Sequence, residues 1–376
     1  MIRKVKDNIF AVIIALLIFA GFAGYLFGND GEFSETENRF LAKRPALTLS
    51  SLSDGSFMER FELYTMEQLP FRDAFINLKS FAGKMMLKNE NNGIVLGSDG
   101  YLFEKLISTG EQFEKNKAQI YDFAGSGERD INICIIPNSC EIKKDCLPAG
   151  FPGVSQREEI EEFYNGLSAY DNVTVADVGG ILNEHADEYI YYRTDHHWTT
   201  LGAYYGYRRL CDVMGLEGLD AEKLEGQKRT RDGFYGTYYS KYRGGGIKPD
   251  TITYYDIPVS RFETGGTEYE SMYDEDKLET YDKYAMFMHG NEGLSVIGAA
   301  DDGRVRRDEL ILFKDSYSNC LIPFLTYDYD SIIVVDLRYY GESVSGLLKE
   351  HPSADVLIMY NFMFFVEDNH FYRLSG

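Results

Sequence analysis

Basic residues are in short supply in this chain: 38 Lys and Arg stand against 60 Asp and Glu, for a formal charge of -22. So acidic a surface repels the phosphate backbone of nucleic acid and anionic lipid faces, which argues against a phosphate-tracking protein and favours a neutral or weakly charged substrate. Cysteine is scarce too. The five residues Cys134, Cys140, Cys146, Cys211 and Cys320 contain no CxxC spacing, and an odd number cannot all pair internally, so neither a zinc site nor a disulfide framework defines the fold. Only Cys140 and Cys146 are local enough to bridge; Cys134, Cys211 and Cys320 fall on apolar segments, where a thiol acts as a small hydrophobe. Internal repeats and low-complexity blocks are absent. With 376 residues, 44% apolar and 15% aromatic, the chain has material for a real core.

One long apolar run is present. Ile9 to Phe27 carries no charge, and nineteen helical residues reach roughly the ~30 Å of a bilayer core. Arg3, Lys4 and Lys6 precede the run while Asp30, Glu32, Glu35 and Glu37 follow it, so the positive-inside rule puts the N-terminus in the cytoplasm and the remainder outside. A cleaved signal peptide is the competing reading, but the run is long for one and no small-x-small cleavage site follows. The expected organisation is a cytoplasmic N-terminus and transmembrane anchor over 1–28, a stalk and helical lead-in over 29–90, and a globular domain over 91–376.

Within that domain, Asp99-Gly100 between apolar runs predicts a hairpin. A helix over 112–123, a strand over 131–136, a helix over 157–170 and a strand over 173–177 then alternate. This is the rhythm of an α/β protein with a mainly parallel sheet. A helix over 201–214 follows, with Thr199 or Thr200 as N-cap and Gly215 as its stop. Residues 216 to about 305 break the rhythm, with Gly244-Gly245-Gly246 and a Tyr-rich stretch, and read as an inserted β-rich lobe beside the sheet. The alternation resumes with strands over 309–314, 332–335 and 355–360 and helices over 317–325 and 341–350. Functional loops of such sheets sit at the carboxyl ends of the strands.

Tryptophan occurs once and histidine six times, and the Trp and two His fall together in Asp195-His196-His197-Trp198. Ser316 lies where a buried strand gives way to a helix, the position that exposes a hydroxyl beside unsatisfied helix N–H groups. A serine needs a base, and the base needs an anionic partner that fixes its tautomer. In an extended loop, alternation sends Asp195 and His197 to one side and His196 to the other. That makes Ser316 the candidate nucleophile, His197 the base and Asp195 its partner, with His196 structural. The plainer alternatives are that Asp315 or Ser316 caps the helix and that the Asp-His-His cluster is a polar network supporting Trp198.

Tyr192 to Thr199 followed by Gly202-Ala203, together with Lys314-Asp315-Ser316-Tyr317-Ser318, resembles the bacterial DHHW family, which is similar to the SGNH-hydrolase-like proteins of alginate O-acetylation of the AlgJ and AlgX type. Glu37-Asn38-Arg39, Pro70-Phe71-Arg72, Gly97 to Phe103 and Val335 to Tyr340 support it. The resemblance implies an SGNH-hydrolase-like, flavodoxin-like sheet flanked by helices, with the Asp-x-His motif permuted ahead of the serine. It implies acyl transfer through Ser316, His197 and Asp195, without metal or cofactor. The function it implies is O-acetylation of a cell-surface polysaccharide, alongside a membrane-bound O-acyltransferase. A polysaccharide acetylesterase and a non-catalytic polysaccharide-binding module remain alternatives. For the oxyanion the Ser316 N–H is one candidate donor, with Gly290-Asn291 or Asn138 supplying others. Arg338 either orients substrate or pairs with Asp315 or Asp336, and the tyrosines over 235–242 either stack on sugar or pack. Metal-dependent phosphoester hydrolysis would draw instead on His185, Asp187, Asp195 and His196 as ligands.

Overall fold

The computed structural model describes residues 2–34, 39–86, 88–127 and 129–375; Glu35, Glu37 and Asn38, used in the readings above, lie outside them. The chain divides into two units, one of residues 1–91 with 243–246 and one of 92–242 with 247–376. In the first, three helices dominate: α1 (Ile2–Phe27), α2 (Ser56–Glu67) and α3 (Arg72–Met85). Among the described residues, which leave out several side chains of the first segment, no helix is long and apolar enough to cross a membrane. The spanning anchor expected over Ile9 to Phe27 therefore rests on the sequence alone.

The second unit opens with the hairpin β1 (Ile94–Leu96) and β2 (Leu102–Glu104), in register Val95 to Phe103. Its turn holds Asp99 at φ 53° and Gly100 at φ 79°, the left-handed region that Asp and Gly tolerate best. Then come α4 (Gly110–Gly125), β3 (Ile131–Ile136), α5 (Gln156–Leu167), β4 (Val173–Val175) and α6 (Thr200–Met214). Thr199 caps α6 by accepting from the Gly202 N–H, and Gly215, at φ 66°, ends it. The region expected to be an insertion contributes β5 (Lys228–Phe234), α7 (Thr237–Tyr242), β6 (Asp250–Tyr255), β7 (Val259–Thr264), β8 (Thr267–Tyr269) and β9 (Leu294–Ala299). The chain closes through β10 (Arg307–Lys314), β11 (Tyr329–Val335), α8 (Val344–Glu350), β12 (Asp355–Asn361) and α9 (Phe362–Glu367).

The central sheet has the order β8-β7-β9-β11-β10-β12-β3-β4. From β11 to β4 all pairings are parallel; β9, β7 and β8 extend the β11 edge in antiparallel fashion. Alternation along the parallel strands feeds two cores. Leu310, Leu312, Cys134, Ile136, Leu357 and Met359 join α6 on one face, while Ile311, Phe313, Ile133, Ile135, Val356 and Ile358 meet α4, α5 and α8 on the other. Each such side chain buried contributes roughly 1.5–3 kcal/mol of transfer free energy, so a shift of one residue in any central strand would exchange the two faces at prohibitive cost.

Two expectations need correction. The insertion is not a lobe set wholly beside the sheet: β7, β8 and β9 belong to it, pairing Leu294 with Val335 and so covering an edge that would otherwise present unpaired backbone groups. Only β5 and β6 form a separate ladder. The helix expected over 317–325 is a 3-10 turn, Ser316–Cys320, followed by the short helix Ile322–Leu325. Pro323, without an N–H, suits the first turn of a new helix and not the interior of a long one.

Candidate active site

Ser316 follows the end of β10 in mid-sheet, between β11 and β12, and Asn138 follows the end of β3 next to β12. Asp315 shapes the serine turn: its carboxylate accepts from the N–H of Tyr317 at 2.9 Å and of Asn361, at the end of β12, at 2.7 Å. Burial nevertheless pushes the Asp315 carboxyl up to about 7. Asp315 is thus the cap, and Ser316 is left to project. Its neighbour Lys314 is pushed down to about 8 by burial, against the pull of Asp336.

The Asp195 loop is closed on itself by a bridge between Tyr191 and Trp198 and by the Tyr192 N–H donating to the His197 carbonyl. Asp195 Oδ1 accepts both the His197 N–H at 3.0 Å and the His197 Nδ1 proton at 2.5 Å. His197 Nε2 in turn lies 2.9 Å from Ser316 Oγ. His197 and Ser316 are 119 positions apart in the chain, yet the three candidate residues form one hydrogen-bonded line. All are buried, Ser316 at 7% exposure and His197 at 4%. Trp198 donates from Nε1 to the Tyr317 carbonyl at 2.8 Å, and Tyr284 donates to the Ser316 carbonyl at 3.1 Å while stacking on the His197 ring at 3.6 Å. These contacts tie His197 to the Ser316 turn.

His196 does not point away from His197, as strand alternation would require. The turn in which Asp195 bonds its own chain two residues on sets the two imidazoles 3.8 Å apart instead. The His196 Nδ1 lies 2.6 Å from Thr237 Oγ1, and that hydroxyl lies 3.1 Å from Asp195 Oδ2. A hydroxyl has one proton, so the pattern assigns the Nδ1 proton to His196, which donates to Thr237, which donates to Asp195. The Thr237 N–H adds a further bond to Oδ2 at 2.8 Å. Burial works against the Asp195 charge, but the two imidazoles and these donors outweigh it and hold the carboxyl well below the usual carboxylate range. Burial, helped by His197, pushes His196 down to about 4.

Sequence reasoning missed the residues that hold this loop. Asp250 accepts four bonds: from Tyr189 Oη at 2.5 Å, Arg193 N at 3.0 Å, Thr194 N at 2.7 Å and Thr194 Oγ1 at 2.6 Å. Gly236 packs against Asp195 so closely that a Cβ there would sit 2.2 Å from its side chain. Asp250, Thr237, Gly236 and Tyr284 all come from the inserted region, and no local motif marks any of them. The tyrosines beside them divide: Tyr238 and Tyr242 are buried against Ile94 and Leu102, whereas the rings of Tyr235 and Tyr239 meet at a tilt of 32° with centroids 4.3 Å apart, half-buried.

Arg338 forms a two-point pair with Asp336 at 2.8 and 2.6 Å, its guanidinium over Phe364. The Asn291 side-chain oxygen Oδ1 accepts from Lys314 Nζ at 3.1 Å and Asn319 Nδ2 at 3.2 Å, and the Gly290 backbone carbonyl accepts from the same Asn319 amide. Asn138 donates from Nδ2 to Asn361 at 3.2 Å. Among the described residues, the grouping able to hold a metal is Asp195, His196 and His197; His185 is engaged elsewhere, with Glu188 at 2.6 Å. The Asp195 and His197 ligand atoms are already committed to each other, to Thr237 and to Ser316. Cys140 and Cys146 are unbridged.

Comparison with known proteins gives a consistent set. The family model described as DHHW protein matches residues 98–335. The crystal structure of a DHHW family protein from Eubacterium siraeum is 26% identical, covers 76% of this chain and 96% of its own, and superposes with a TM-score of 0.64. The structure of Bacillus cereus PatB1 with a sulfonyl adduct is 16% identical, covers 74% of this chain and 98% of its own, and gives 0.58, which supports the α/β fold. The probable alginate O-acetylase AlgJ of Pseudomonas aeruginosa is 24% identical over 196 residues, 49% of this chain and 48% of AlgJ, so the chain spans about half the length of that curated relative.

Proposed function

This chain belongs to the DHHW family, and on that premise we propose that it is an acyl-transfer enzyme that O-acetylates a cell-surface polysaccharide through Ser316. The observation that carries the reading is the line Ser316–His197–Asp195, with steps of 2.9 and 2.5 Å inside a nearly buried site. His197 Nε2 removes the Ser316 proton as Oγ attacks the carbonyl carbon of an acyl ester. The resulting tetrahedral oxyanion needs preorganised donors, for which the Ser316 N–H is the first choice. His197 then protonates the departing alcohol, leaving an acyl-serine. In the second half the same imidazole deprotonates a sugar hydroxyl, which takes the acyl group and frees Ser316. Water in place of the sugar makes the protein an esterase by the same steps. Asp195, held ionised, stabilises the imidazolium formed in each half.

The cellular setting belongs to the same proposal. The uncharged run Ile9 to Phe27 and the basic residues before it support a single-pass anchor with the globular domain outside the membrane, and the resemblance to the alginate O-acetylation proteins suggests a membrane-bound O-acyltransferase as the source of the acyl group. The test is a purified protein assayed with an activated acetyl ester, with and without oligosaccharide acceptor. Transfer to sugar supports the acetyltransferase; release of acetate only identifies an esterase. Ser316→Ala is expected to abolish both, along with labelling by a serine-reactive fluorophosphonate. Full activity in that variant would overturn the mechanism.

A further inference from the structure

Large apolar side chains exposed to water are unevenly distributed. In the α/β unit they occur singly, as Ile107, Tyr269, Val305, Tyr339 and Tyr372, which any folded surface tolerates. In the N-terminal unit they crowd together. On α3, Phe75, Leu78, Phe81 and Met85 are 55, 62, 60 and 71% exposed, and Phe71 just ahead of it is 72% exposed. At 100° per residue these four positions fall along one stripe, while Ser80, which is buried, lies on the opposite face. The helix thus packs through one side and leaves its more apolar side uncovered.

The same segment is a local exception to the charge of the chain. Between Phe71 and Lys88, Arg72, Lys79, Lys84 and Lys88 face only Asp73, an excess of three positive charges in a chain of formal charge -22. The exposed Lys79 sits at the flank of the stripe. The segment also starts close to where the apolar N-terminal run ends. Gln68, four residues before α3, exchanges bonds with Gly31 at 2.8 and 2.9 Å, and Tyr64 donates to Asp30 at 2.9 Å.

We propose that α3 lies on the membrane surface, with the Phe75–Leu78–Phe81–Met85 stripe in the boundary between headgroups and acyl chains, and with the exposed Lys79 at its flank and Lys88 just past its end on anionic headgroups. An apolar stripe with flanking cations is the pattern of a helix that lies on a bilayer and does not cross it. The charge selects this occupant: a second copy would set one basic segment against another. The inference takes from the anchor proposal only the position of the bilayer at the end of α1.

The test uses the full chain reconstituted into vesicles of phosphatidylcholine with and without phosphatidylglycerol, carrying Leu78→Trp as a fluorescent reporter. The native Trp198 is fully buried and supplies a constant background. Expected are flotation with the vesicles, quenching of the introduced indole by lipids brominated near the headgroup, protection from aqueous iodide, and dependence on phosphatidylglycerol. Removing charge with Lys79→Gln and Lys88→Gln is expected to weaken the surface contact about fivefold per residue. Flotation with the introduced indole still open to iodide overturns the surface helix and leaves the anchor standing. Failure to float overturns both. Protection that rises with protein concentration, without quenching by lipid, assigns the stripe to a protein contact and also overturns the inference. Phe75→Trp repeats the measurement should Leu78→Trp not fold.

Discussion

Gly236→Ala is the sharpest perturbation of the proposed active site, because it adds a single methyl group. The Cβ would stand 2.2 Å from both Asp195 Cβ and Oδ2, whereas ordinary contact begins at 3.4 Å, so Asp195 or the Gly236 backbone must move by about 1.2 Å. The Gly236 N–H is bonded to Thr194 Oγ1 at 3.1 Å, and the adjacent Thr237 N–H to Asp195 itself. If Asp195 takes up the displacement, its hold on His197 is what changes. A shift of that size stretches the 2.5 Å bond to His197 Nδ1 beyond hydrogen-bond range. Misplacing a catalytic group by about 1 Å costs about 10²-fold, and losing the carboxylate's hold on the imidazole altogether about 10⁴-fold. We therefore expect kcat/KM for an activated acetyl ester to fall about 10²- to 10⁴-fold, with far-UV circular dichroism unchanged. Gly180→Ala is the matched control: a Cβ there meets nothing within 4 Å, and the variant should keep full activity. A folded Gly236→Ala protein with the wild-type rate would refute the placement of Asp195 behind His197.

Thr237→Val removes the hydroxyl that links His196 to Asp195 but keeps the backbone N–H. A bond to a charged group is worth about 1.5–3 kcal/mol, so about a 10- to 100-fold loss in kcat/KM is expected, largely restored in Thr237→Ser; equal rates for Val and Ser would exclude a role for the hydroxyl. His196 is neutral in the folded protein down to about pH 4, against an ordinary value of 6.5. Its folded value is depressed, so the unfolded chain binds the extra proton between those limits and stability falls as pH drops from 6.5 to 4. The loss is on the order of 3 kcal/mol, and urea titrations should show it in the wild type but not in His196→Gln. Parallel pH profiles for the two proteins would contradict the assignment.

How much of this was legible beforehand depends on the range of the interactions involved. The central parallel strands were readable because most of their residues are buried on both faces and form apolar runs, the edge strand β4 with its exposed Thr174 being weaker, and α6 because Thr199 and Gly215 bound it chemically. The triad candidates were readable for a different reason. Asp195 and His197 are two residues apart, and Ser316 sits at a strand end, where a sheet displays its chemistry.

What could not be read was most of what is set by residues meeting across the chain. The region 216–305 lacks the periodicity of the rest, so its strands β7 to β9 did not announce that they extend the main sheet. Asp250 is one acid among 60 Asp and Glu, distinguished only by the four donors that converge on it. The role of His196 turned on a local backbone bend that sets its ring beside His197 and opposite Thr237, where alternation predicted separation.

The sequence by itself thus determined the fold class, the family resemblance and the identity of three candidate catalytic residues, because hydrophobic period and short motifs are properties of neighbours in the chain. The tertiary structure alone decided that Ser316 Oγ comes within 2.9 Å of His197 across 119 positions, and that an inserted segment supplies Thr237, Gly236, Asp250 and Tyr284 to hold it there. Such contacts depend on how distant strands and loops are brought together, and a hydrogen bond leaves no trace in a sequence until both partners are placed.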